Sequence, residues 1–370
     1  MNFKIWKWRL FVLLLCLSFC CSALWAEENK PRILLLGTGG TIVGVANQNS
    51  PTGYTAGQLT VEELVRSLPG FERLGVDLKA EQVANIASQD MDYPVWKALV
   101  ERIERAAAQD EADAFVITHG TDTLEETAFF LELALDIDNP VVLVGAMRPT
   151  TSLSADGPQN LWEAIQVASS VDSFGRGVLV SFAGEIFPAR YATKASTLQT
   201  GAFAPTFGGA IGFTDAHRAH YYVASAKKQR RPWSLDWSKL ESLPKVEIIP
   251  VYAGAGGEAL LQALERGAQG IVIAGVGDGN MPASMLQACK RAQERGVPVV
   301  RATRVFQGYV HRDHEFKDND YGTVTSYDLS PQKARILLQL LLARGVRDLE
   351  RIQAAMLGDQ PGALRFAEEE

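Results

Sequence analysis

Cysteine, histidine and positive charge are the scarce features of this 370-residue chain, and each shortage removes a class of function. Four cysteines are present, and three of them (Cys16, Cys20 and Cys21) fall near the N-terminus, leaving Cys289 alone in the rest. One cysteine forms no internal disulfide, so stability has to come from the size of the core and from assembly. Five histidines, with no His/Cys cluster at ligand spacing, imply no resident metal and no other cofactor. Acids outnumber bases by 43 to 36, a formal net charge of −7. An acidic surface argues against nucleic acid as a partner.

What is present begins with a leader. Lys4, Lys7 and Arg9 precede an apolar stretch from Leu10 to Leu17, which ends near Ser22-Ala23-Leu24-Trp25-Ala26 before polar sequence from Glu27. The stretch is too short to span a bilayer and predicts a signal peptide over residues 1–26, hence a periplasmic protein with no membrane attachment after cleavage. Cleavage after Ala26 is preferred to cleavage after Ala23. A lipid anchor on Cys20 or Cys21 is the weaker alternative, because Phe19 is a poor neighbour for it. Losing the leader removes three positive charges and moves the net charge from −7 to −10.

Short apolar runs then alternate with helical periods. Strands are predicted at 32–37, 82–87, 114–118, 141–145, 177–182, 246–251, 270–274 and 298–302. Helices are predicted at 60–67, 94–108, 124–135, 158–170, 257–266, 282–295, 331–343 and 347–356. This order predicts an α/β protein of two domains. The larger, N-terminal domain (31–224) has a mostly parallel sheet flanked by helices, and a smaller α/β domain (245–370) follows a basic, Pro- and Trp-bearing connection at 225–244. Residues 44–57 form a Gly/Ser/Asn-rich loop of lid-like length with a lone aromatic, Tyr54.

Two threonine-rich turns stand out. Thr118-His119-Gly120-Thr121-Asp122-Thr123 follows the apolar run 114–117 and opens a helix, which puts hydroxyls and a carboxylate at the carboxyl end of a strand, where open α/β sheets bind ligands. Thr123 and Glu126 have capping-box spacing, so Thr123 is expected to start the helix. One cap needs one side chain, which leaves Thr121 and Asp122 for other work. The second turn, Gly37-Thr38-Gly39-Gly40-Thr41-Ile42, presents Thr41 on glycines whose N–H groups are free to turn inward. A dinucleotide fingerprint would need glycine at position 42, which is Ile.

These turns, with Ser88-Gln89-Asp90, Val144–Pro149, Ser154–Gly157 and Gly275–Asn280, occur in the order found in bacterial type II L-asparaginases. The chain resembles that family from about residue 31 to 356. The resemblance implies hydrolysis of L-asparagine to aspartate and ammonia by a threonine nucleophile, through a β-aspartyl acyl-enzyme. It implies that Thr41 and Tyr54 belong to one catalytic group and that Thr121, Asp122 and Lys194 form the other. Thr41 is the preferred attacker, with the order of the two threonines open. Lysine acts as a base only when uncharged, a state that burial favours and a nearby Asp122 opposes. His119 is given a structural role. Backbone N–H groups of Gly40 and Thr121 are expected at the oxyanion.

For the substrate's α-groups the resemblance implies Ser88, Gln89 and Asp122. Asn280 and Glu315 are implied to reach a neighbouring subunit's site, so the functional form would be a homotetramer with sites at subunit interfaces. Ser-Gln at 88–89 and Asn280, where dual-specificity enzymes tend to have Ser-Glu and serine, favour asparagine over glutamine. Ala87, Asp278 and the stretch Ala183–Ala189 depart from the family pattern. The alternatives are a glutaminase-asparaginase of broader specificity and, in a different class, a periplasmic amino-acid-binding protein.

Overall fold

The computed structural model describes residues 30–46, 54–55, 60–66, 68, 70–224 and 235–358. The leader, most of the 44–57 loop and residues 225–234 of the connection lie outside them. The first large sheet starts with β1 (Arg32–Gly39), whose side chains alternate between two cores. Parallel to it run β4 (Asp77–Ile86) on one side and β5 (Ala114–Thr118), β6 (Val141–Val144) and β7 (Val178–Phe182) on the other. Antiparallel strands β8 (Glu185–Pro188), β11 (Gly212–Thr214) and β12 (Ala219–Tyr221) extend the β7 edge. Along the chain between β1 and β4 comes a separate two-stranded ribbon, β2 (Val45–Ala46) with β3 (Tyr54–Thr55). A separate hairpin, β9 (Ala192–Lys194) with β10 (Phe203–Pro205), follows β8.

Helices cover both faces, as a parallel sheet requires. Ile33, Leu35, Val116, Val142 and Val144 face the helices Val61–Arg66 and Gly157–Ser169. Leu34, Leu36, Phe115, Ile117 and Leu143 face the helices Tyr93–Ala108 and Leu124–Ala134.

The C-terminal sheet is fully parallel, in the order β13 (Val246–Pro250), β14 (Gly270–Gly275), β15 (Val299–Thr303), β16 (Thr323–Thr325). The helices Glu258–Glu265 and Ala283–Glu294 cover one face. The helix Pro331–Ala343 covers the other and also packs on Leu124–Ala134, so the apolar core continues from one domain into the next. The described half of the connection is part of that core. Trp237 is buried edge-on against Phe130, which stacks on Trp96 at 4.5 Å, and the Tyr93 hydroxyl donates to Leu240 O at 2.9 Å.

The two-domain α/β architecture is present as expected, with corrections of detail. The second predicted strand begins at Asp77 rather than 82, and β2, β3, β8 to β12 and β16 were not anticipated. Thr123 does not cap the helix it precedes: its hydroxyl donates to Ser88 O at 2.6 Å, fastening the turn to the end of β4. Asp156, just before the helix Gly157–Ser169, likewise makes no cap and spends its carboxylate on the N–H groups of Met147 and Arg148, each at 2.9 Å.

Candidate active site

Strand order reverses at β1: the chain passes from β1 to β4 on one side, then returns to β5 on the other. In open sheets the crevice at such a reversal, outside the carboxyl ends, is where ligands sit. Both threonine turns leave the sheet there. Gly37 pairs with Thr118, and the buried Thr38 hydroxyl donates to Thr118 O at 2.8 Å, tying one turn to the other. Gly40 has φ of +85°, and a Cβ there would run into the Gly120 backbone, so only glycine lets the two main chains touch. Thr41 follows as the first residue of a 3-10 turn, Thr41–Val43, and is buried.

On the second turn Thr121 is buried and Asp122 exposed. Lys194, at the end of β9, reaches across to both. Its Nζ donates to Thr121 Oγ1 at 2.7 Å and to Asp122 Oδ1 at 2.6 Å, while its backbone N–H donates to Glu125 Oε2 at 2.6 Å. Burial pushes the Glu125 carboxyl up, and the Lys333 charge and the Lys194 N–H oppose that. Glu125 is an acid in the first turn of the helix Leu124–Ala134. Its second duty, holding the lysine's backbone, depends on a strand 69 residues away and has no local signature.

Behind the turn His119 is fully buried. The Trp96 indole donates to Thr127 Oγ1, which lies 2.8 Å from His119 Nε2, and His119 Nδ1 lies 2.7 Å from Gly120 O. The carbonyl partner fixes the Nδ1–H tautomer, so Thr127 donates to Nε2. Burial pushes this imidazole down from 6.5 to about 4. The unfolded chain takes up that proton below about pH 6.5, so the stability is present above that pH and is lost as pH falls toward 4. The loss is about 3 kcal/mol. Urea midpoints between pH 7 and pH 4 should therefore fall more steeply for the wild type than for His119→Gln. Parallel curves would remove His119 as the cause.

Ser88 sits in the 3-10 turn after β4, buried beside Gly120, and its Oγ accepts the Asp122 N–H at 3.3 Å. Gln89 beside it is exposed. Asn280 and Glu315 lie on loops of the C-terminal domain and bond to each other, Asn280 Nδ2 to Glu315 Oε1 at 2.8 Å. Among the described residues neither bonds to Thr121, Asp122 or Lys194. The Tyr54 backbone pairs with Ala46, and its side chain lies outside the described residues. Two expectations are corrected. The Gly40 N–H donates to Ile86 O at 3.1 Å instead of pointing toward an oxyanion. A ligand cluster, not expected from spacing, does form: Asp278, His311 and His314 converge.

The geometry offers a hydroxyl held by a lysine and a carboxylate at a sheet crevice, a set suited to acyl transfer. Comparisons with known proteins place both domains in one family. Residues 32–227 match the family model "Asparaginase, N-terminal" and residues 245–356 match "Glutaminase/Asparaginase C-terminal domain". The chain is 45% identical over 314 residues to a Haemophilus influenzae protein named probable L-asparaginase periplasmic, covering 85% of this chain and 89% of that one. It is 43% identical over 323 residues to L-asparaginase 2 of Escherichia coli, covering 87% and 92%. A crystal structure of a probable cytoplasmic L-asparaginase from Campylobacter jejuni superposes with a TM-score of 0.80 at 37% identity, covering 89% of this chain and 99% of that one.

Proposed function

The chain belongs to the L-asparaginase family of amidohydrolases, and from that premise we propose that it hydrolyses free L-asparagine to L-aspartate and ammonia through a threonyl ester. The observation that carries the reading is the Lys194–Thr121–Asp122 contact at the carboxyl ends of β1 and β5. A threonine oxygen attacks the side-chain carbonyl carbon, and the C–N bond breaks as the nitrogen gains a proton and leaves as ammonia. Water then attacks the β-aspartyl ester, releasing aspartate and restoring the hydroxyl. Thr41 is the attacker in the first reading, with Thr121 and Lys194 activating the water. A second reading, with Thr121 attacking first, is favoured by one fact: the lysine bonds Thr121.

Ser88, whose Oγ accepts the Asp122 N–H, the adjacent Gln89, and Asp122 are assigned to the α-carboxylate and α-ammonium groups. Asn280 and Glu315 bond each other within one chain, which fits completion of a neighbour's site in a homotetramer. Exposed apolar side chains such as Leu153, Leu198, Tyr252 and Phe306 fit burial in such an assembly. Export through residues 1–26 belongs to the same proposal.

Ammonia release from the purified chain beginning at residue 27, with L-asparagine and L-glutamine in parallel, tests it. Fast release from asparagine and little from glutamine is the expected outcome. Equal rates would keep the catalytic group and replace the specificity by that of a glutaminase-asparaginase. Folded protein that binds either amino acid without releasing ammonia would be a binding protein instead.

A further inference from the structure

We propose that Asp278, His311 and His314 form a binding site for a divalent transition-metal ion of the zinc type, at the surface of the C-terminal domain. The proposal is independent of how the threonines work. Asp278 lies in the loop after β14, and the two histidines lie 33 and 36 residues further on, so the site exists only once the domain is folded. One carboxylate oxygen, Asp278 Oδ2, is 3.1 Å from His311 Nδ1 and 2.6 Å from His314 Nδ1, and the three ligand atoms all lie within 4.8 Å of one another. Ligand atoms on a tetrahedral zinc, with bonds of about 2.0 Å, sit about 3.3 Å apart. Against that spacing the His311 contact is already close, and the His314 contact has to open by about 0.7 Å to admit the ion.

Both loops are held in place before any ion arrives. Asp278 Oδ1 accepts the His311 N–H at 2.8 Å, which orients the carboxylate and leaves Oδ2 for the ion. Beneath, the buried Arg301 guanidinium donates to Asp278 O at 3.1 Å and to His311 O at 3.0 Å, so one side chain clamps the backbone on both sides of the site. Arg301 is itself paired with Asp318, which also binds the Asp313 N–H at 2.9 Å. A site whose ligands are already fixed loses little conformational entropy on binding.

The donor set selects the ion. Two imidazole nitrogens and one carboxylate suit zinc, copper or nickel, whereas calcium and magnesium prefer all-oxygen shells. Each ring carries its proton on Nε2 when Nδ1 binds metal, and the exposure of both rings lets water accept from it. A fourth position stays open to water on the exposed side. The other histidines are otherwise engaged or remote: His119 is buried in its own chain of hydrogen bonds, and His220 pairs with Asp215 at 2.8 Å.

Calorimetric titration of tag-free, chelator-treated full-length mature protein with zinc chloride is the test. One zinc per chain is expected, with affinity about 10-fold or more weaker in His314→Ala. Binding should be lost in the His311→Ala/His314→Ala double variant and unchanged in His217→Ala/His220→Ala. Circular dichroism checks that each variant folds, and His314→Gln replaces any that does not. No zinc uptake by the parent, or uptake that survives the double variant, would overturn the site and leave a carboxylate shared by two imidazoles. Ammonia release plays no part in the readout, so loss of the asparaginase reading would leave this result standing.

Discussion

Thr121→Val should lower kcat for asparagine hydrolysis about ten-thousand-fold while the protein folds normally. Valine matches threonine in shape and removes only the hydroxyl that Lys194 holds at 2.7 Å, and the lysine keeps Asp122 as a partner. Nothing else at this buried position changes size, so the loss isolates chemistry from packing. Thr41→Ala should fall by a similar factor, because in the proposed scheme each of the two hydroxyls serves one half of the reaction. The pair of variants also separates the two orders of attack. Rapid quenching followed by peptide mass spectrometry should find the β-aspartyl group on the peptide carrying Thr41. An ester on Thr121, formed in the Thr41→Ala protein, would reverse the assignment. Turnover within ten-fold of the parent in either variant would remove the threonine mechanism.

The largest stability effect is expected from Arg301→Leu, at about 3–5 kcal/mol. Arg301 and Asp318 are both fully buried, with contacts of 2.7 and 2.9 Å. Burial pushes the Asp318 carboxyl up, but the guanidinium and the other donors around it outweigh that and hold it below the usual carboxylate range. Removing the arginine leaves an uncompensated anion in the interior and releases three backbone carbonyls, those of Asp278, Gly279 and His311. Chemical denaturation of the variant measures the cost. A change below about 1 kcal/mol would mean that water reaches Asp318 and that the clamp is weaker than its geometry.

Much of this architecture was legible because its signals are local. Strands buried on both faces read as continuous apolar runs such as Ile33–Leu36 and Phe115–Ile117, and the helix Pro331–Ala343 has the bounds expected of it. Two hydroxyl-rich turns after two such runs were enough to locate the crevice. The three-residue strands β9 to β12 were not legible, since three residues carry no period. Hydrogen-bond partners were the main failure. Thr123 and Asp156 have the composition of helix caps, but tertiary neighbours, the Ser88 carbonyl and the 147–148 amides, compete for the same side chains and win. The Gly40 N–H was assigned to a ligand because nothing near it in sequence announces Ile86 O. The Asp278–His311–His314 cluster was missed for the same reason: its parts meet only across two loops.

The short segment that ends in Lys194 is fastened from the other domain. Lys333, buried on the helix Pro331–Ala343, donates to Arg190 O at 2.9 Å and to Ala192 O at 2.6 Å, and Arg190 pairs with Asp328 and Met356 O. The two family domains are therefore separable as stretches of sequence but not as working parts. A chimera that took its C-terminal half from a relative would keep Thr41, Thr121 and Lys194 of this chain, yet the grafted half would decide where the lysine stands. Grafting at residue 245 is thus a way to retune the lysine without altering Thr41, Thr121, Asp122 or Lys194.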